Sequence, residues 1–122
     1  MSDTLYDRLG GKAGIDKLVD RIVELHLQNE VAGPRYRALD DEAIDHAREM
    51  VKEFLAAGSG GPVEYTGRSM IEAHTGMNVN AAEYVAVVDD IMQAMNEMDY
   101  PDPVRNEVLG IAYSLKEEII HL

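Results

Sequence analysis

Cysteine is absent from this 122-residue chain, which excludes a disulfide scaffold, a thiolate zinc site, an iron–sulfur cluster and a cysteine nucleophile. No apolar run reaches the about 18 residues that a membrane helix needs. The opening Met1-Ser-Asp-Thr-Leu-Tyr6 lacks the basic-then-apolar layout of a secretion signal, so a soluble, cytoplasmic protein is expected. Lysine stands only at Lys12, Lys17, Lys52 and Lys116. Strand patterns are almost absent, and internal repeats and low-complexity segments are missing. So are the Gly-x-Ser-x-Gly elbow, the P-loop and the dinucleotide fingerprint, which leaves hydrolases and nucleotide enzymes without support. Any demanding chemistry must come from histidine, carboxylates, tyrosine or a cofactor.

Acids dominate what is present. Twenty-three Asp and Glu oppose eleven Lys and Arg, for a formal charge of −12. Phosphate backbones and anionic membrane surfaces are repelled by such a chain, so neither nucleic acid nor a membrane is an expected partner. The acids are spread along the sequence (Asp16, Glu30, Asp45, Glu64, Asp89, Glu107) and form a solvating coat. That coat fits a salt-adapted protein or an ordinary acidic bacterial one. With 46% hydrophobic residues, the chain has material for one core, expected as a single domain over 1–122.

Helical periodicity runs through most of the chain. Leu5, Tyr6 and Leu9 predict a short helix ended by Gly10-Gly11, and the apolar series from Ile15 to Leu27 predicts a helix over 14–29 closed by Gly33-Pro34. Asp40 or Asp41 caps a third, over 41–57, with the stripe Ile44, Ala47, Val51, Phe54, Leu55. Asn80-x-x-Glu83 is a capping box opening a helix over 80–98. Asp102 as cap, with Pro103 in the first turn, opens the last, over 103–120. The class is all-α. Between Val63 and Val79 lies a loose, glycine-bearing connector with a histidine in it, and loops of that length in compact domains are commonly functional.

Three blocks carry a resemblance: Leu5-Tyr-Asp-Arg-Leu-Gly-Gly11; Gly60-Gly-Pro-Val-Glu-Tyr-Thr-Gly-Arg-Ser-Met70 with Glu72-Ala-His-Thr-Gly76; and the Tyr100-Pro-x-Pro segment. Together they resemble the truncated haemoglobins, the first group above all. The resemblance implies a globin-like two-over-two helical sandwich that encloses haem and reversibly binds O2, CO or NO. It places His74 as the proximal ligand of haem iron, a standard role for neutral imidazole. By the same matching Met70, Val79, Tyr84, Val87 and Leu55 contact haem, as does Val51 on the ligand side. Tyr36 replaces a common ring-stacking Phe. The Tyr65 and Thr66 hydroxyls suit a propionate or, equally, a turn.

The ligand-binding side departs from that family. Val23 stands where a Tyr is usual, and Ala47, Met50 and Val51 occupy the next helix without the usual polar partner. A donor there would hold O2 by about 1–3 kcal/mol through a charge-assisted hydrogen bond. His26, Met50, His46 or Tyr36 could compensate by contacting iron or ligand. NO dioxygenation with a reductase partner is an activity of some family members. Two other readings stay open: a haem-free globin-like interaction domain, and a six-coordinate haem redox or sensor protein. A carboxylate metal site at Glu42, His46, Glu49 and Glu53 lacks the second Glu-x-x-His helix that it needs and reads better as a solvated face.

Overall fold

A computed structural model describes residues 4–122. Met1–Asp3, part of the segment read for a secretion signal, lie outside the described residues. The first helix, α1 (Leu5–Arg8), is fixed by a reciprocal cap in which Thr4 accepts from the Asp7 amide and Asp7 accepts from the Thr4 amide. The chain then turns at Gly10 (φ +98°) into α2 (Gly11–Gln28). Gly14 has no alternative residue, because a Cβ there would fall 2.1 Å from the Leu9 carbonyl oxygen.

α2 buries Ile15, Leu18, Val19, Ile22, Val23 and Leu25. It ends earlier than the apolar pattern predicts, since the Asn29 side chain accepts from the Val31 and Ala32 amides and turns the chain. Gly33-Pro34, expected as a stop, instead opens α3 (Gly33–Arg37), where proline's missing N–H costs nothing. α4 (Asp41–Gly58) is capped by Asp40, whose carboxylate accepts from the Ala43 amide at 2.8 Å. The connector holds a five-residue helix, α5 (Met70–His74), with Ser69 and Glu72 as a capping box. α6 (Ala81–Glu97) opens on the expected Asn80 and Glu83 box.

The last helix, α7 (Asp102–Ser114), differs from expectation at both ends. Pro101 is the cap and Asp102 is already helical. Its far end gives way to a 3₁₀ turn at Lys116–Glu118. Beyond that turn, Ile120 bridges Val79, the His121 amide donates to the Val79 carbonyl at 2.8 Å, and Leu122 accepts from the Gly76 and Asn78 amides. These cross-chain bonds satisfy backbone groups that a longer helix would have used internally. They also tie the segment after α5 to the chain's end.

Two helix pairs make the body, α2 with α4 and α6 with α7, and α2 lies on α6 to join them. This is the two-over-two arrangement. Leu9, Ile15, Leu18, Val19 and Met95 are its most deeply buried large side chains. A smaller cluster of Val79, Tyr84 and Val88 sits under the C-terminal segment. Among the described residues no helix is long and apolar enough to cross a membrane.

Candidate functional site

Side chains from α2 through α7 line one large cavity of about 1140 Å³. It gathers every site residue singled out above: His74, Met70, Tyr36, Leu55, Val51, Tyr65, Thr66, Val79, Tyr84 and Val87. Large apolar side chains face it without being covered, with Val51 44%, Leu39 41%, Met77 38% and Ile111 37% exposed. Apolar surface gathered in one concavity marks a binding site for an apolar molecule. The stripe of α4 explains itself here. Only Ala56 of that helix is buried, while Ala47, Met50, Val51, Phe54 and Leu55 form a cavity wall.

His74 closes α5, half-buried, with its Nδ1 2.8 Å from the Met70 carbonyl oxygen one turn back. A carbonyl only accepts, so Nδ1 carries the proton and donates it. Nε2 is then the bare nitrogen, with a lone pair and no partner among the described residues. A neutral imidazole whose other nitrogen donates to a carbonyl is the usual state of a metal-binding histidine.

A second histidine lines the same cavity. His26 (α2) is 5% exposed, and Asp90 (α6) is 7% exposed. His26 Nδ1 lies 2.7 Å from Asp90 Oδ2, and Asn29 Nδ2 donates to both carboxylate oxygens at 3.1 Å. Tyr36 stacks on the imidazole, centroids 4.9 Å apart and planes at 28°. Burial pushes the His26 pKa below the usual imidazole range, and the Asp90 hydrogen bond opposes that shift. Burial, with a smaller contribution from Asp90, pushes the Tyr36 phenol up.

The depressed His26 makes a prediction about stability. As pH falls from about 6.5, the unfolded chain takes up a proton that the folded chain refuses, so stability falls with it. Urea midpoints measured from neutral pH down to the onset of carboxylate titration are expected to drop. His26→Gln, which keeps a donor to Asp90, is expected to flatten that slope; an unchanged slope would remove His26 as its cause.

The remaining polar groups are mostly committed. Tyr65 donates its hydroxyl to the Arg68 carbonyl at 2.8 Å, and the Thr66 amide and hydroxyl both donate to Glu53. Both hydroxyls thus serve the loop in this structure. Arg35 pairs with Glu83. Arg48 reaches Asp20 at 3.1 Å, yet its Nε is buried without a partner on the cavity wall. That nitrogen is enclosed by protein, with the Asp45 carboxylate 4.0 Å away. Val23, Ala47 and Val51 line the cavity and offer no donor; Met50 and the exposed His46 line it too. Among the described residues no three His, Asp or Glu side chains gather as a metal site.

Asp90 and Arg48 escaped the sequence reading. Asp90 had a legible signal: it stands four residues after Ala86 and four before Ala94, both buried, so an acid occupies an inward stripe. Arg48 had none, being one of many charges on a polar-looking helix.

Known proteins agree with this architecture. A family model described as bacterial-like globin matches residues 4–121. The group 1 truncated haemoglobin of Synechocystis is 32% identical over 113 residues, which cover 89% of this chain and 89% of the relative. That of Tetrahymena pyriformis is 26% identical over 117 residues, 96% of this chain and 94% of its own. The crystal structure of the T. pyriformis protein in its Fe(III) form superposes with a TM-score of 0.90 at 25% identity, covering 98% of this chain and 99% of that one. With its two-over-two helices and a family match spanning nearly all its length, this chain belongs to the bacterial-like globins.

Proposed function

We propose that the chain binds haem in this cavity through His74 and takes up a small diatomic gas, O2, CO or NO, on the face opposite that histidine. The observation that carries the reading is the His74 side chain, whose Nδ1–H is spent on the Met70 carbonyl while Nε2 is left bare on an apolar wall. Haem, when bound, supplies an iron that holds such gases in its reduced state.

The chain's own residues do the rest. The Met70 carbonyl fixes the imidazole tautomer and orientation and raises its basicity. Met70, Val79, Tyr84 and Val87 pack the side of the cavity nearest α5, α6 and α7, and keep water from the ligating nitrogen. Val51, Leu55 and Leu39 offer the opposite apolar face, and the Tyr36 ring adds an aromatic edge. Arg68, which lines the cavity and makes no ion pair among the described residues, suits the acidic groups that haem carries on one edge. Turnover such as NO dioxygenation would need a reductase and a donor on the α4 wall. Ala47 and Val51 provide no donor, so binding is favoured over turnover.

The test is the absorption spectrum of the purified protein, as isolated and after haem addition. A Soret band that shifts on reduction and again on CO is expected. No such band after haem addition would overturn the reading and leave a haem-free interaction domain. A six-coordinate spectrum without added ligand would put a side chain such as Met50 on the iron.

A further inference from the structure

The Asp90–His26 pair has no part in binding haem as described above. It is also costly: two nearly buried polar side chains face each other across sequence-distant helices, in a wall otherwise built from Val, Ile and Leu. A carboxylate accepts and does not donate, so the proton between them sits on His26 Nδ1. Nε2 then presents a lone pair. It has no hydrogen-bond partner among the described residues and is not among the fully enclosed unpaired atoms, so it opens onto the cavity that His26 lines.

We infer that His26 is a proton acceptor on this wall, and that the site takes up small weak acids H–X, of the hydrogen cyanide, hydrogen sulfide and hydrogen peroxide class, as their conjugate anions. The inference rests on the haem reading above, which supplies the site for the anion. The H–X bond breaks, its electron pair stays with X as X binds at the iron, and the proton passes to Nε2. The resulting imidazolium is held by the Asp90 carboxylate, itself fixed by two contacts from Asn29. No oxidant or reductant is involved.

Asp90 from α6 and Tyr36 from α3 are the titratable groups in contact with the ring. Arg35 and Glu83 line the same cavity but neutralise each other, and His46 and Arg48 stand on the α4 wall. Burial keeps the ring neutral, with its lone pair free, but weakens it as a base, and the Asp90 carboxylate partly offsets that cost by holding the imidazolium.

Stopped-flow binding of cyanide to the ferric, haem-loaded protein at neutral pH tests the inference, with CO binding to the ferrous protein as the aprotic control. His26→Leu is expected to slow cyanide association by about a hundredfold, the low end of what positioned proton transfer contributes. CO association should stay near the wild-type rate. Asp90→Asn should also slow cyanide, because an amide donating to Nδ1 moves the proton to Nε2. Equal cyanide rates in wild type and His26→Leu would overturn the inference while leaving the haem reading intact. Should the variants fail to fold, nitrogen NMR of the wild-type His26 ring decides: protonated Nδ1 and bare Nε2 support the inference, and the reverse tautomer ends it. A wild type without a haem spectrum fails at the earlier step, visibly so, and the inference falls with it.

Discussion

Replacing His74 by glycine is expected to strip the protein of its haem or leave a site that free imidazole refills. Few substitutions reach so far, because this side chain is the one bare nitrogen on the α5 side of the cavity. No other histidine is placed to substitute from there: His26 is on α2 and held by Asp90, His46 is on α4, and His121 lies outside the cavity lining. Losing the ligand removes binding-linked stability as well. At haem concentrations a hundred to a thousand times the dissociation constant, that contribution is about 3–4 kcal/mol. The thermal midpoint of haem-loaded His74→Gly should therefore fall toward that of the haem-free wild type, and the haem-free forms should differ little. Imidazole in the buffer should restore the Soret band. A variant with wild-type spectra and no response to imidazole would remove His74 from the iron.

The reading of fold and site from sequence worked where residues near in sequence decide the structure. The apolar positions of α2 and α6 recur with the helical period because both helices cross the core. Capping chemistry at Asp40 or Asp41 and at Asn80 with Glu83 marked helix starts to within a residue. Gly33-Pro34 misled because proline is equally at home just after one helix and in the first turn of the next. The end of α7 misled for a different reason. Its apolar spacing continues to Ile119, but bonds from the last residues to Gly76, Asn78 and Val79 are long-range and leave no local trace. The same holds at the cavity. His26 was visible as one turn from Val23, yet its state depends on Asp90, 64 residues away. Without that partner the tautomer could not be read, and the burial that lowers the pKa against the pull of Asp90 is a property of the packed fold. A lone histidine on a helix face says nothing of which nitrogen it offers.

That tautomer decides how oxygen should behave. Bound O2 draws negative charge onto its outer atom and is held by hydrogen-bond donors. Val23, Ala47 and Val51 have none to give, and neutral His26 turns a lone pair, not an N–H, toward the cavity. Oxygen is therefore expected to leave fast and the iron to oxidise readily. His26→Leu should not speed oxygen loss, since it removes an acceptor that repels the same negative charge. Adding a donor should act the other way: Val51→Gln is expected to slow oxygen loss by about tenfold, or about 1.4 kcal/mol for one charge-assisted bond. Acid should mimic that substitution. As pH falls through the depressed range of His26, Nε2 gains a proton and becomes a donor, so the wild-type rate should fall while that of His26→Leu stays level. Tyr36 is the rival, because its phenol stays protonated and lines the same space. Its ring face is committed to stacking on His26, which leaves only the hydroxyl at the far end. Oxygen dissociation rates for the wild type, Tyr36→Phe, His26→Leu and Val51→Gln separate these cases. A tenfold acceleration in Tyr36→Phe, about 1.4 kcal/mol, would make the phenol the donor and end the donor-free reading.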